Sequence, residues 1–304
     1  MIDIIISASR RTDIPAFYGE WFMHRIREGS FIKVNPYNPK QRKLVTLSPL
    51  AIEAIVFWTK HPLPFLQVLP LLDEMGYSYY FQYTLNDYPQ LLEPYLPPLA
   101  ERIEVFQRLS EQIGPEKVIW RYDPIIISKM TPPEYHLEHF TQLASALQNY
   151  SHRVMISFLT LYDKVQARIG RLEEEHHLQI TEIRKQPDVW ESLARDLSRI
   201  AGQNDFQISS CSETVDLTKC GILPGSCIDG AFINQLFNLK LTYKKDKAQR
   251  QECRCVESVD MGFYNTCKFN CSYCYANFNE RMVARNVAQH YPDSRTMVGK
   301  NFTL

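Results

Sequence analysis

Cysteine is missing from most of this 304-residue chain: none occurs before Cys211, and all eight fall between Cys211 and Cys274. Thiols used as small core fillers would be scattered, so a single crowded stretch points to metal. Net charge is missing too, with Lys plus Arg and Asp plus Glu at 34 each. A balanced chain exerts no global pull on nucleic acid or on an anionic membrane. Nucleic acid stays open as a substrate only through a local basic patch. No apolar run reaches the ~18 residues of a membrane span. The N-terminus, Met1-Ile2-Asp3-Ile4, has no basic segment followed by an apolar stretch and a small-residue cleavage site. A cytoplasmic protein with reduced thiols is the expectation.

What is present begins with Cys267-Lys-Phe-Asn-Cys271-Ser-Tyr-Cys274, three cysteines spaced C-x3-C-x2-C with Tyr273 before the last. Residues 259–265 upstream read as a strand, and residues 276–291 downstream as a helix. A thiol loop between a strand tip and a helix suits a metal cluster. Four thiolates saturate an iron–sulfur cubane, so three leave one iron open. The competing readings are three of zinc's four ligands, with the fourth elsewhere, and chance clustering of buried thiols.

Along the chain, strands and helices alternate. Residues 2–9 (IDIIISAS) form a run buried on both faces, leading through Arg10, Arg11 and Asp13 to a helix opened by Pro15. Residues 31–35 and 43–47 read as a hairpin. Further strands are expected at 52–60, 79–86, 117–127, 153–162 and 206–212. Helices are expected at 64–75, 99–113, 132–147 and, in two pieces split near Pro187, across 163–201. Such alternation implies a parallel sheet with helical crossovers. The length fits one (β/α) TIM-like barrel domain, whole or partial, spanning residues 1–304, with residues 205–280 as its cysteine-rich region. A doubly wound open sheet is the alternative.

In a barrel, chemistry gathers at the C-terminal strand ends. Arg10, Arg11, Asp13, Trp58, Lys60, Tyr83, Asn86, Arg121, Asp123, Ser157, Tyr162, Ser212, Glu213 and Asn265 fall there. The arginines suit a carboxylate clamp, because a planar guanidinium matches that anion. For Arg121 and Asp123 a structural ion pair is an equal alternative.

The stretches SASRRTDIPAFYGEWF, IVFWTKHPLPF, YTLNDY, VIWRYDPI and CRCVESVDMGFYNTCKFNCSYCYAN together resemble the family called domain of unknown function 1848. That family is radical-SAM-like, with some similarity to spore photoproduct lyase. The resemblance implies a [4Fe–4S] cluster on Cys267, Cys271 and Cys274, with S-adenosylmethionine (SAM) on the open iron. The resemblance supplies no reaction; with SAM on the open iron, the enzyme reading is reductive cleavage of SAM to a 5′-deoxyadenosyl radical acting on an unknown substrate, a small molecule or another, fed by a donor such as a ferredoxin or flavodoxin. Tyr273 would lie near the adenine, Arg10, Arg11 or Arg121 near the SAM carboxylate, and Trp58, Tyr83 and Tyr122 around the substrate. In the common radical-SAM plan the cysteine loop follows the first strand; here it follows the last, as in a circular permutation. Residues 2–9 should then lie parallel beside residues 259–265. The Gly-Gly-Glu that often contacts the methionyl amine has no counterpart here. This favours the other class of function, a non-catalytic iron–sulfur or zinc protein for electron transfer or metal sensing.

Of the remaining cysteines, Cys211, Cys227, Cys253 and Cys255 should converge on a second iron–sulfur cluster or a zinc ion. Cys253 and Cys255 form a tight C-x-C pair, and Cys227 lies in a Pro-Gly-Ser-Cys turn. Cys220 is the spare. Reduced structural thiols without metal are the alternative.

Overall fold

The computed structural model describes residues 4–299, apart from the side chain of residue 164. In chain order the elements are β1 (Ile4–Ala8), α1 (Ile14–Phe17), α2 (Gly19–Arg27), β2 (Ser30–Asn35), β3 (Asn38–Thr46) and β4 (Ile52–Thr59). A 3-10 stretch (Leu63–Val68) then runs into α3 (Leu69–Glu74), followed by β5 (Tyr79–Thr84), α4 (Leu99–Ile113), β6 (Val118–Ile125), α5 (Pro133–Leu147) and β7 (Arg153–Phe158). The rest are α6 (Asp163–His176), α7 (Pro187–Gln203), β8 (Gln207–Cys211), β9 (Leu223–Gly225), α8 (Gly230–Phe237), β10 (Val259–Asp260) and α9 (Glu280–Val287).

The fold is α/β. Eight strands form one sheet in the order β10-β1-β4-β5-β6-β7-β8-β9, and β2 and β3 pair as a separate antiparallel hairpin. The pairings β1 with β10 and β4, β6 with β7, β7 with β8, and β8 with β9 are all parallel. The chain packs as two compact units. One comprises Met1–Phe81, Ser258–Asn270 and Ala276–Leu304; the other comprises Gln82–Glu257 and Cys271–Tyr275.

In the first unit β1 is a β-branched run with Ile5, Ile6 and Ala8 fully buried, as a parallel strand covered on both faces requires. It lies parallel to β10, with Ile6 opposite Val259 and Ser7 opposite Asp260. The neighbour expected from sequence is therefore in place, although Ile2 and Asp3 lie outside the described residues. The partner strand is shorter than expected, two residues instead of the whole of 259–265. Its ladder stops because the Asp260 carboxylate accepts from Gly262 N–H (2.9 Å) and bends the chain back on itself. The C-terminal helix is shorter too. It begins only at Glu280, where Asn279 caps it by accepting from Met282 N–H (2.9 Å). The helix expected at 64–75 starts as 3-10, because Pro62, Pro64 and Pro70 remove backbone donors from its first turns.

The second unit is built on amphipathic helices. Along α4 the residues Arg102, Val105, Phe106, Leu109 and Ile113 repeat at three- and four-residue spacing and are buried. Gly114, at φ 96°, ends the helix in a conformation that residues with a Cβ rarely adopt. Along α7, Trp190, Leu193, Ala194, Leu197 and Ile200 form the same kind of stripe. Sequence reading missed β9 and α8, both of which lie inside the cysteine-rich region. Asp229 caps α8, accepting from Ala231 and Phe232 N–H.

Side chains on β6 alternate from Trp120 to Asp123, and the register with β7 shifts between Tyr122 and Ile125. Trp120 and Tyr122 face the helical layer: Trp120 stacks on Phe140 of α5 (4.8 Å, 21°), and Tyr122 O–H meets His136 Nδ1 at 2.9 Å. Arg121 and Asp123 face the other way. Trp120 is fully buried and its indole N–H donates to Leu85 O (2.9 Å). Replacing it with Ala removes this bond and leaves a cavity, so urea unfolding of Trp120→Ala should show a loss of about 3–5 kcal/mol. A loss under about 1 kcal/mol would mean that the unit does not depend on this layer.

Candidate functional site

In the first unit the β1 exit, Ser7 to Asp13, is held by carboxylates. Asp260 accepts from Ser7 Oγ (2.9 Å), Ser9 Oγ (2.7 Å), Arg10 N–H (3.0 Å) and Gly262 N–H (2.9 Å). The approach is so close that a Cβ on Gly262 would stand 1.9 Å from Ser9 Oγ, so only glycine fits. Asp13 caps α1 by accepting from Ala16 N–H (2.9 Å) and ties in the β4 exit by accepting from Lys60 N–H (2.7 Å). The Arg10 guanidinium lies 5.6 Å from the Trp58 ring, and that of Arg11 lies 4.9 Å from the Tyr264 ring.

The three-cysteine loop is pinned along its backbone. On the first-unit side, Tyr18 O–H donates to Thr266 O (2.6 Å) and Asn277 Nδ2 donates to Cys267 O (2.8 Å). Asn265 N–H donates to Ala276 O (2.9 Å), closing the base of the loop. Burial pushes the Tyr18 phenol's pKa up, and the neighbouring Cys267 adds to this. Asn277 is fully buried, and among the described residues its Oδ1 has no donor.

On the second-unit side, Cys274 N–H donates to Cys271 O (3.0 Å), and Ser272 donates to Leu92 O through its N–H (2.9 Å) and to Leu91 O through its hydroxyl (2.8 Å). Arg168 on α6 donates to Cys274 O through Nη2, while its buried Nε finds no acceptor among the described residues. Tyr273 is buried, its hydroxyl donating to the buried carboxylate of Glu93, which stands 3.6 Å from Arg102. Its ring meets Tyr88 edge-on at 5.8 Å. Leu91 also lines an open cavity of about 680 Å³ together with Gln90, Pro94, Met130 and His176.

The other four cysteines come together in the second unit. Cys211 Sγ and Cys227 Sγ are 2.9 Å apart. Cys255 is in hydrogen-bonding contact with both Cys227 and Cys253, and accepts from Ile228 N–H at 3.4 Å. Arg121 reaches into this group: Nη1 donates to Cys227 Sγ (2.7 Å) and Gln82 Oε1 (3.3 Å), and Nη2 pairs with Asp123. Asp123 in turn accepts from Ser157 Oγ. The hydrogen bond between Cys211 and Cys227 lets the pair share a proton, lowering the pKa of Cys211 and raising that of Cys227. Cys220 stands apart, against Glu191 O. Among the described residues, no three His, Cys, Asp or Glu side chains are spread around a common point so as to hold a metal ion as they stand.

Two expected shielding residues are placed elsewhere. Tyr83 packs on Phe106 of α4 (4.8 Å) and donates to Arg102 O, and Tyr122 bonds to His136. Both belong to the helix-facing side of their strands, because they alternate with Gln82 and Arg121. Asn277, Arg168 and Gln82 were not singled out from sequence. Gln82 was legible by that same alternation, whereas Arg168 sits in a polar helix with no distinguishing pattern. Glu213 forms a two-point ion pair with Arg184 (2.9 Å at each oxygen) and accepts from Phe158 N–H, which binds the β7 and β8 exits together.

These features define an α/β protein with a pinned three-thiol loop and a separate group of four thiols at strand ends. The chain belongs to the family described as Domain of unknown function (DUF1848), whose model matches residues 5–276 and so spans all eight cysteines. No curated protein matches it. Among solved structures it is similar to a pyruvate carboxylase of Rhizobium etli crystallised without acetyl coenzyme A. The identity is 13% and the TM-score 0.24, over 78% of this chain and 27% of that one. The chain spans about a quarter of that protein's length, and a likeness at that score carries no argument.

Asp13 generates a pH prediction. Burial raises its carboxyl pKa from 3.8 to about 6, against the opposing pull of the Lys60 and Ala16 N–H bonds. The folded state therefore prefers the protonated form, and this contribution is full below pH 3.8 and lost as pH rises through about 6. Asn keeps an oxygen for the cap but does not titrate. The unfolding free energy of Asp13→Asn relative to the parent should shift in the variant's favour by about 2 kcal/mol between pH 4 and pH 7. A difference that stays flat over that range would show that Asp13 titrates normally.

Proposed function

We propose that the chain is an iron–sulfur enzyme of radical-SAM type, with Cys267, Cys271 and Cys274 as ligands of a [4Fe–4S] cluster and SAM as the co-substrate cleaved to a 5′-deoxyadenosyl radical. The observation that carries this reading is the C-x3-C-x2-C loop, whose Cys267 and Cys274 carbonyls accept from Asn277 and Arg168 and whose Ser272 donates to Leu92 O through its N–H and to Leu91 O through its hydroxyl. With these groups paired, less ordering entropy remains to be lost when the thiolates engage a ligand. When bound, the cluster supplies one electron to the sulfonium and an open iron to the methionyl amino and carboxylate groups.

The chain's own residues fit such a ligand chemically. Among the described residues, Asn277 Oδ1 beside Cys267 is a buried acceptor without a donor, and Arg168 Nε beside Cys274 is a buried donor without an acceptor. Buried polar groups are nearly always paired, so each of these is a group that a ligand on the cysteine next to it would satisfy. Burial lowers the Arg168 pKa, with the nearby thiols of Cys274 and Cys271 opposing part of that shift. Tyr273 fixes the loop through Glu93. Arg10 and Arg11 offer further guanidinium groups for a carboxylate. The cavity bordered by Leu91 is large enough for a small substrate. In this reading the sheet closes as a permuted TIM-like barrel, with β10 beside β1 and the cysteine loop after the last strand.

The test is anaerobic incubation of cluster-reconstituted protein with SAM and dithionite. 5′-Deoxyadenosine should form, and should disappear in Cys271→Ala. A fully loaded, reducible cluster that neither binds SAM nor yields 5′-deoxyadenosine would overturn the assignment and leave electron transfer as the function.

A further inference from the structure

We propose that Cys211, Cys227, Cys253 and Cys255 form a structural zinc site, one Zn²⁺ held by four thiolates and independent of the three-cysteine loop. The four residues come from three remote segments: the end of β8, the turn after β9, and the irregular stretch that leads to β10. Only Cys211 is partly exposed; Cys227, Cys253 and Cys255 are 3–7% exposed. Soft, clustered thiolates without a carboxylate among them select zinc over magnesium or calcium.

Distances decide between the options for such a group. At 2.9 Å, Cys211 Sγ and Cys227 Sγ are well beyond the ~2.05 Å of a disulfide. Two thiolates on one tetrahedral zinc, each about 2.3 Å from the ion, stand about 3.8 Å apart. The pair therefore needs to part by only about 1 Å, which small side-chain rotations supply. Thiolates on separate corners of a cubane stand much farther apart, because each points outward from its own iron. The run of sulfur contacts from Cys211 through Cys227 and Cys255 to Cys253 brings the four thiols to one place, although they do not surround a common point as they stand and would have to part to take up one ion.

The surroundings match as well. A zinc tetrathiolate carries a net charge of minus two, and its sulfurs need donors. Ile228 N–H donates to Cys255 Sγ (3.4 Å), and Arg121 donates to Cys227 Sγ (2.7 Å) while Asp123 and Gln82 hold its other contacts. The site also has structural work to do. Between α8 and β10 the described backbone holds only an isolated bridge, Lys245 to Val256. An ion linking Cys253 and Cys255 to Cys211 would fasten this stretch to the β8 end, as metals do where a segment has little core of its own.

The experiment uses the full chain with Cys267, Cys271 and Cys274 all replaced by Ala, which removes the loop of the preceding proposal and makes the two outcomes separable. Purified without added metal, this variant should contain one zinc per chain and no iron or sulfide. Titration with a mercurial should release that zinc as four thiols react, with Cys220 as the fifth, uncoupled thiol. Adding Cys253→Ser should abolish zinc retention. Arg121→Gln, which leaves all ligands in place, should weaken zinc binding about 10–100-fold in chelator competition. The proposal is overturned if the folded triple variant retains no zinc and its five thiols react independently. It is equally overturned if iron and sulfide replace zinc, or if mass spectrometry finds a Cys211–Cys227 disulfide.

Discussion

Burying a guanidinium is the constraint that organises the second unit. Arg121 is 4% exposed at the centre of β6, where an unpaired charge would be prohibitively costly. Burial alone would lower its pKa, yet Asp123, Cys227 and Cys211 more than offset that, and the charge is held firmly. Each partner comes from a different place: Asp123 from the same strand, Gln82 from β5, Cys227 from beyond β9. Asp123 in turn fixes Ser157 and meets Asn86 through its backbone. One cation thus sorts the polar faces of neighbouring strands and draws the thiols to the same place. The opposite face is then free to be aromatic, with Trp120, Tyr122 and Tyr83 against α4 and α5.

The first unit solves the complementary problem with an anion. Asp260 collects donors from the Ser7 and Ser9 hydroxyls and from the Arg10 and Gly262 N–H groups. Hydrogen bonds to a carboxylate are stronger than neutral ones, so a two-residue strand suffices to place β10 beside β1. That carboxylate also ends the strand, and the chain enters the cysteine loop within a few residues. The shortness of β10 and the position of the loop therefore have one cause.

Much of the fold was legible because its signals are local. The β-branched run of β1, the stripe of α4 ending at Gly114, the split near Pro187 and the β2–β3 hairpin each declare themselves within a dozen residues or so. The misses have long-range causes. Nothing in Asp-Met-Gly-Phe-Tyr-Asn says that the first of these residues will be captured by Ser7 and Ser9, more than 250 positions upstream, so the strand was read too long. The shielding role expected of Tyr83 and Tyr122 failed for a different reason. Their neighbours Gln82 and Arg121 carry polar groups that need partners away from the helices, and alternation then sends both tyrosines the other way. Arg168 and Asn277 were invisible because each acts on a main-chain carbonyl of the loop, and such contacts leave no pattern in composition.

The two thiol groups differ in how the chain specifies them. Cys267, Cys271 and Cys274 lie within eight residues, so loop geometry alone keeps them together, and local hydrogen bonds stiffen that loop before any ligand arrives. Cys211, Cys227, Cys253 and Cys255 span 45 positions in sequence and meet only once β8, β9 and the approach to β10 are in place. Closing segments that far apart costs chain entropy, which grows slowly with separation but must still be met. As the proposed cluster ligands, a contiguous set could exchange what it binds without loss of the fold, which suits the proposed chemistry. A convergent set is coupled to folding itself, and suits a role in holding the irregular stretch before β10 against the sheet.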